Sequence, residues 1–366
     1  MFYEKEISAS ELVTDFLKDR ERKPILQIMG ETFLLFFRSG RFPRHYYSRF
    51  LFKKDSSNIF DYFPDSYFEK VKPVFNDKEA REVLENKLYF DFYFSQFGIS
   101  LPRILMYNHR NIFVVDNRIK EVNCVEEFRT LMSGILKNKS VSKLLFIKKT
   151  FWSYGGDQIY KVSPEQVEND PEMINNLYSA VIKSGFLFQE TIKQHPELDR
   201  LNPSCLNTMR LDTFIDQDGK IEVLSGFIRT SVTNRHVDNV SSGGCQVPLD
   251  IETGRLKKYA YRVLKMSGVK LLTEHPVTKT TFEGYMIPYF REAKELVIKA
   301  GGLYPCLRLV GWDVGISENG PVLIEGNSDY NMAGNDLADG GYRANPVFRK
   351  VIKEYNELKK IKGNHN

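Results

Sequence analysis

Two carboxylates and an amide that could hold a metal ion occur close together in the sequence, at Asp313, Glu325 and Asn327. Side chains alternate along a strand, so Glu325 and Asn327 share one face of the strand that contains them. Carboxylate and amide oxygens are ligands of the kind that Mg²⁺ prefers, with phosphates and water at its remaining positions. The spacing therefore predicts an Mg²⁺ site if Asp313 reaches the same face. The alternative is a half-buried hairpin whose acidic side chains face solvent.

The loop between the two strands decides where Asp313 points. Asn319-Gly320 between apolar runs indicates a hairpin. A two-residue loop would pair Asp313 with Gly326 and put its carboxylate on the wrong face. A three-residue loop, 318–320, with Gly320 in the left-handed conformation, would pair Asp313 with Glu325. We therefore predict the three-residue loop.

The stretch WDVGISENGPVLIEGN resembles the metal-binding end of ATP-grasp domains, and in particular that of the sugar-transfer-associated ATP-grasp family. Those sequences carry Gly-Trp-Asp before the turn and Ile-Glu-Gly-Asn after it, and the resemblance covers roughly Asn86 to Tyr342. It implies a two-lobed α+β ATP-grasp fold. It also implies ATP and Mg²⁺ as cofactors, with the ion bound by Asp313, Glu325 and Asn327.

Two lysines resemble the residues that contact ATP phosphates in this superfamily. Lys87 stands at the start of a predicted helix, and Lys148 lies on a predicted strand that leads to Gly155 and Gly156. Glycines let backbone N–H groups approach anionic oxygens, and a lysine adds a point charge. The family usually has proline where Lys149 stands. The alternative is that Lys148 and the two glycines belong to an ordinary strand and loop, and that Lys87 is an ordinary exposed lysine on a helix.

The stretch SGFLFQETIKQHPEL is typical of a strand that enters a linker, and it resembles the hinge between the two ATP-grasp lobes. The resemblance places the adenine against the backbone of Gln189, Glu190 and Ile192. An acidic residue slightly downstream usually binds the ribose. Glu197 and Asp199 are both candidates for that role.

Two arginines, Arg210 and Arg229, lie within a predicted meander with a turn at 216–219. Inward-facing arginines in an apolar sheet need anionic partners, which could be substrate groups or nearby acidic side chains. The following loop resembles one that lies near ATP and the acyl group in glutamate-adding relatives. We predict that Arg210, Arg229 and Asn239 are catalytic. The loop residues that match are Arg235, Asn239, Gly243 and Gly244.

The sequence predicts four parts. These are a helical aromatic and basic extension (1–75), a first lobe with the glycine-rich flap (76–188), a second lobe with the metal hairpin (189–350), and a C-terminal helix with a basic tail (351–366). The extension contains a segment, 36–54, in which basic residues alternate with Phe and Tyr. It predicts either peripheral contact with an anionic membrane or a packed aromatic layer, and the irregular aromatic spacing favours the layer.

The composition indicates a globular protein with a large core. The net charge of +5 is too small for a protein that coats nucleic acid. The four cysteines are scattered without metal-binding spacing, which favours a reduced cytoplasm. The charged start, MFYEKEISASEL, does not resemble a secretory signal, and the apolar run 24–37 is too short to span a bilayer. We expect a cytoplasmic protein, and the alternative is a protein with a peripheral membrane contact. The sequence does not indicate the oligomeric state.

The resemblance implies a carboxylate–amine ligase. ATP would phosphorylate a carboxylate, and an amine would then attack the acyl phosphate, with a sugar acid or a sugar-linked group among the small-molecule substrates. Phosphoryl transfer requires mainly positioning and charge compensation, which lysines, arginines and Mg²⁺ supply. One alternative is a phosphotransferase that uses the same ATP site. The other is a non-catalytic, membrane-peripheral protein of polysaccharide synthesis.

Overall fold

Two antiparallel sheets and the helices around them form the protein. The computed structural model describes residues 19–56, 58–137, 144–151, 159–232, 244–264 and 268–363. Within these ranges the architecture is mixed α+β, as the sequence predicted. The same ranges contain no helix that is long and apolar enough to cross a bilayer.

Among the described residues, five helices precede the first sheet. They are α1 (Ile25–Ser39), α2 (Arg44–Ser48), α3 (Asp65–Phe75), α4 (Glu82–Glu85) and α5 (Lys87–Ser95). Helix α1 follows Pro24 as predicted, and Gly40 ends it in the left-handed conformation with φ +65°. Short 3₁₀ turns occur at Ile59–Asp61 and Glu79–Arg81. The capping box predicted at Ser8 lies outside the described residues.

Helix α3 packs against the second sheet. It places Phe68, Val71 and Phe75 in one apolar cluster with Phe214 and Phe348, far along the chain. The predicted domain boundaries stay a prediction.

The first sheet has the strand order β3-β2-β1-β6-β4-β5. Its strands are β1 (Ile104–His109), β2 (Ile112–Val115), β3 (Arg118–Glu121), β4 (Leu145–Lys149), β5 (Ile159–Val162) and β6 (Gly185–Glu190), and three helices cover one face, α6 (Val125–Leu136), α7 (Pro164–Asn169) and α8 (Pro171–Val181). The sequence predicted one helix from Ser163 to about Lys183, which is wrong. Asp170 caps a new helix by accepting a hydrogen bond from the Met173 N–H, and Pro171 follows at its first position.

The second sheet has the strand order β11-β10-β9-β8-β7-β12-β13. The elements of this half are α9 (Pro196–Leu201), β7 (Thr208–Ile215), β8 (Ile221–Ser231), β9 (Gly244–Pro248), β10 (Ala260–Leu264), β11 (Gly268–Leu272), α10 (Phe290–Leu303), β12 (Leu309–Ser317), β13 (Gly320–Asn327), α11 (Met332–Asp339) and α12 (Pro346–Gly363). Helix α10 packs on one face, while α3, α11 and α12 pack on the other. The predicted stop at Gly301 is wrong, since α10 continues to Leu303 with Gly301 buried against the sheet. Tertiary packing overrides the weak helix propensity of glycine there.

Candidate active site

The hairpin of β12 and β13 places Asp313 directly opposite Glu325, as the sequence predicted. The predicted three-residue loop, however, is wrong. Ser317 pairs with Gly320, so the loop is Glu318-Asn319, and Gly320 has φ +121° inside the strand. A bulge after Asp313 leaves Ile324 without an opposite residue and shifts the register by one. The bulge therefore sets the pairing that we had ascribed to the loop.

Asp313 is 3% exposed and carries two arginine partners. Arg210 on β7 donates from Nε to Asp313 Oδ1 at 2.5 Å and from Nη2 to Oδ2 at 3.0 Å. Arg229 on β8 donates from Nη2 to the same Oδ1 at 2.6 Å. Burial alone would raise the pKa of Asp313, but the charges of Arg210 and Arg229 hold that pKa well below its usual range. Asp313 is thus a fixed carboxylate, and the two arginines have the acidic partner that the sequence left as one alternative.

Glu325 and Asn327 form the more open part of this face. The Asn327 amide nitrogen lies 3.4 Å from Glu325 Oε1 and 3.4 Å from the Gly311 carbonyl. Lys87 Nζ lies 3.7 Å from Glu325 Oε2, and the Glu325 side chain is 28% exposed. The structure therefore brings the first predicted phosphate lysine to the predicted metal carboxylates.

The start of helix α5 is bonded to the end of strand β4. Asn86 caps α5 by accepting hydrogen bonds from the backbone of the next turn, and the Lys87 N–H donates to the Thr150 carbonyl at 2.9 Å. Lys148, on the same strand, pairs with Leu187 on β6, and its Nζ lies 5.1 Å from the Phe146 ring centroid. Strand β4 and helix α5 therefore form one support for the two lysines.

The segment after β6 runs along the end of the hairpin of β12 and β13, which we call the metal hairpin. Gln194 forms a bridge with Ser317, and the His195 N–H donates to the Ile316 carbonyl at 2.9 Å. Ile192 packs on Gly315, where an added Cβ would lie 3.1 Å from Ile192 Cδ1. This segment therefore joins the first sheet to the hairpin, as a hinge between lobes would.

The polar side chains of the predicted adenine and ribose segment contact other protein groups, which leaves the backbone of Gln189 and Glu190 as the predicted adenine contact. Gln189 donates to the Pro102 carbonyl at 3.3 Å, and Glu190 lies 3.7 Å from the Arg103 guanidinium. Glu197 binds Arg200 at 3.0 Å, and Asp199 accepts from Gln194 at 2.8 Å. The geometry does not choose between Glu197 and Asp199 as the ribose ligand, so both remain predictions.

A buried polar cluster beside the site escaped the sequence interpretation. Asp212 lies two residues from Arg210 on the same face of β7 and accepts from Ser225 at 2.8 Å and from Asn335. Burial raises the pKa of Asp212 to about 6, against the opposing charge of Arg210. Its Oδ1 and the Tyr330 hydroxyl have no hydrogen-bond partner within the described part of the chain. The alternation of Arg210 and Asp212 along β7 was the signal that could have indicated this cluster.

Several predicted loop residues cannot be placed. Gly155, Gly156, Arg235, Asn239 and Gly243 lie outside the described residues, so their roles stay predictions. Gly244, the last of the matching loop residues, begins strand β9.

A large cavity occurs away from these residues, in the first lobe. It has a volume of about 1030 Å³ and lies between helix α5, strand β1 and helix α6, with Asp91, Tyr107 and Lys120 in its lining. The carboxylates of the hairpin do not belong to it. Burial raises the pKa of Asp91 to about 6.

The charges around the hairpin decide how a metal ion would fit. Arg210, Arg229 and Lys87 face Asp313 and Glu325, and the buried Asp212 also interacts with Arg210, so three cations balance three carboxylates. The described residues contain no group of three acidic, histidine or cysteine side chains arranged to bind a metal alone. The oxygen donors suit Mg²⁺, but carboxylates that are already neutralised bind a bare ion weakly, and the cations suit the phosphates of a nucleotide. The site therefore fits the ion together with a polyphosphate.

Comparison with known proteins identifies the family that the hairpin indicates. A family model described as sugar-transfer associated ATP-grasp matches residues 67–347. No curated protein matches the sequence. Among solved structures, the chain is similar to D-alanyl-alanine synthetase A from Vibrio cholerae, with 12% identity, a TM-score of 0.43 and coverage of 76% of this chain and 66% of that one. It is also similar to the D-alanine–D-alanine ligase of Bacillus anthracis complexed with ATP, with 11% identity, a TM-score of 0.40 and coverage of 77% and 68%. Likenesses this distant add nothing to what the family match says about function.

Proposed function

This chain belongs to the sugar-transfer associated ATP-grasp family, and on that premise we propose that it is an ATP- and Mg²⁺-dependent carboxylate–amine ligase. The reaction would transfer the γ-phosphoryl group of ATP to a carboxylate and release ADP. An amine would then attack the acyl carbon, form the amide and expel phosphate. The family's association with sugar transfer favours a sugar acid or a sugar-linked amine as one substrate.

The observation that supports this proposal most is the meeting of both lobes at the hairpin. Lys87 and Lys148 come from the first lobe, and Asp313, Glu325 and Asn327 from the second. The 3.7 Å approach of Lys87 to Glu325 joins the two groups. A polyphosphate between the lobes would meet lysines on one side and hard-oxygen ligands on the other.

The side chains have distinct tasks in this proposal. Lys87 and Lys148 would compensate the triphosphate charge, and Glu325, Asn327 and Asp313 would bind Mg²⁺, which neutralises phosphate oxygens when bound. The charge of Asp313 opposes the effect of burial on Arg210, and the pKa of Arg210 lies above its usual value. Arg210 is therefore a permanent cation that Asp313 orients, well placed to stabilise charge on the transferred phosphoryl group.

Trapping with hydroxylamine tests the proposed reaction. The purified protein, ATP and Mg²⁺ would be incubated with a panel of sugar acids and amino acids, and ADP release would be measured with and without hydroxylamine. We expect ADP release that depends on one carboxylate and yields its hydroxamate, because an acyl phosphate is a far better electrophile than a free acid. Glu325→Gln serves as the inactive control.

Other products would refute the ligase. A phosphorylated small molecule that accumulates without a hydroxamate would favour the phosphotransferase. AMP and pyrophosphate would exclude both reactions. An absence of nucleotide binding in calorimetry would favour a non-catalytic protein.

A further inference from the structure

The outer half of helix α1 is apolar and exposed to solvent. Ile28 and Leu35 face inward and are buried, and Glu31 binds Lys23 at 3.0 Å and Tyr46 at 2.6 Å on the protein side. The outward residues follow the helical repeat around the opposite half without any charged residue between them. They are Ile25, Leu26, Met29, Phe33, Leu34, Phe36 and Phe37.

The exposure of this face is large for a protein surface. Leu26 is 83% exposed, Met29 62% and Phe37 70%. Phe33, Phe36 and Phe37 alone expose roughly 350 Å² if each ring offers about 200 Å². With the four aliphatic side chains the patch exceeds what most monomers leave in water, which is typical of a docking surface.

The exposed apolar face of α1 lies mostly before the segment 36–54, which the sequence indicated as a membrane contact. In the predicted membrane-contact segment, 36–54, most residues from His45 to Phe52 are buried. That part forms the packed aromatic layer that the sequence favoured, with Tyr46 and Tyr47 in its centre. The exposed apolar face belongs to α1, and Phe42, which is 44% exposed, extends it.

The charges beside the patch identify its partner. Arg38 at the end of α1, Arg41 after it and Arg44 at the start of α2 are exposed, and no acidic residue occurs between Thr32 and Lys54. Two other basic residues of this stretch are already paired, since Arg49 is buried against Asp336 and Lys53 lies 3.0 Å from Asp19. A second copy docked by two-fold symmetry would bring the three exposed arginines against each other without acidic partners from this stretch. A lipid surface with anionic headgroups complements both the apolar half of the helix and the arginines.

We propose that helix α1 docks the protein on an anionic lipid bilayer, lying in the plane of the interface with its outer face among the acyl chains and Arg38, Arg41 and Arg44 at the headgroup phosphates. This surface is independent of the ATP site. It gives the protein a peripheral position on a membrane.

Sedimentation of the full chain with vesicles tests the proposal. One set of vesicles is phosphatidylcholine, and the other is phosphatidylcholine mixed with phosphatidylglycerol. We expect the protein to sediment with the mixed vesicles and to remain largely in the supernatant with the neutral ones. Binding should weaken as salt is added, since the arginine contribution is screened. Failure to bind the mixed vesicles would overturn the proposal.

Surface variants separate the apolar and ionic contributions without disturbing the core. Phe33→Ser combined with Phe37→Ser should weaken binding at least about tenfold. Arg38→Ser combined with Arg41→Ser should weaken binding to anionic vesicles about fivefold for each arginine. Ile119→Ser is the matched control, because Ile119 is 76% exposed on strand β3 of the first sheet, and it should bind as the parent chain does.

Two further outcomes would overturn the proposal. If Ile119→Ser weakens binding as much as the double phenylalanine variant, helix α1 is not the docking site. If the chain forms a lipid-free dimer that the phenylalanine variant dissociates, and neither binds vesicles, the face is a contact between copies.

Discussion

Replacing Asp313 by asparagine should destabilise the protein much more than replacing Glu325 by glutamine in the same hairpin. The change keeps the shape of the side chain but removes the negative charge between Arg210 and Arg229. Both guanidinium groups lie in the sheet, with side-chain exposures of 8% and 11%. The asparagine amide would also direct an N–H donor toward the two guanidinium groups, which can only donate hydrogen bonds themselves.

The size of the effect follows from the burial of the three groups. Removing one partner of a buried ion pair costs about 3–5 kcal/mol, because an uncompensated charge remains. For a chain of this length that corresponds to a fall in Tm of about 4–7 °C. Glu325→Gln provides the comparison. Its pair with Lys87 is longer and more exposed, so it contributes at most about 1 kcal/mol.

Thermal unfolding followed by circular dichroism, without nucleotide, measures both changes. We expect a large shift for Asp313→Asn, a small shift for Glu325→Gln, and partial recovery when Asp313→Asn is combined with Arg229→Gln. Recovery is expected because the second substitution removes one of the two unpaired cations. Equal small shifts for Asp313→Asn and Glu325→Gln would refute the view that Asp313 balances buried charge.

Three further results are expected. Glu325→Gln should reduce ATP turnover at least about a hundredfold in a coupled ADP assay while the circular dichroism spectrum stays unchanged. Full activity of this variant would show that the metal ion binds to other residues. Calorimetry should detect binding of Mg·ATP but not of Mg²⁺ alone at similar concentrations, because Arg210, Arg229 and Lys87 already neutralise the carboxylates; tight binding of the bare ion would contradict that balance. Burial raises the pKa of Asp91 from 3.8 to about 6. Between these pH values the folded protein keeps a proton that the unfolded chain loses. The contribution of Asp91 to stability therefore falls as pH rises through this window. Asp91→Asn should therefore raise Tm at pH 7 and leave it unchanged below pH 4, whereas an equal gain at both pH values would rule out titration as the cause.

The sequence predicted the pairing of the metal hairpin correctly, but from a loop that the structure does not have. Alternation along the strands and an assumed three-residue loop put Asp313 opposite Glu325, whereas the structure reaches the same pairing with a two-residue loop and a bulge. The bulge at Ile324 could not be foreseen, because a longer loop and a bulge shift the register by the same single residue. The pattern therefore predicted which carboxylates face each other but not the backbone irregularity that aligns them.

Contacts between distant parts of the chain lay beyond such patterns. The sequence interpretation used Asn76 as a helix cap, but it is buried and its amide instead binds the backbone of Leu309 and Ser328. The partners of Arg210 and Arg229 likewise depend on β12 lying next to β7, more than eighty residues apart in the chain. Local propensity contains no information about which strands become neighbours.

The hydrogen bonds of Arg49 limit where this protein can be divided into fragments. Arg49 donates to Asp336 and to the Phe63 carbonyl, and binds Asp65 at 2.5 Å. Asp336 is fully buried on helix α11 and also accepts from the Phe63 N–H at 3.1 Å. A chain cut at residue 67, where the family match begins, would keep this carboxylate in the core and lose its cation. We therefore expect that a stable fragment of this protein must start before Arg49, because the buried carboxylate of Asp336 would otherwise lack its cation.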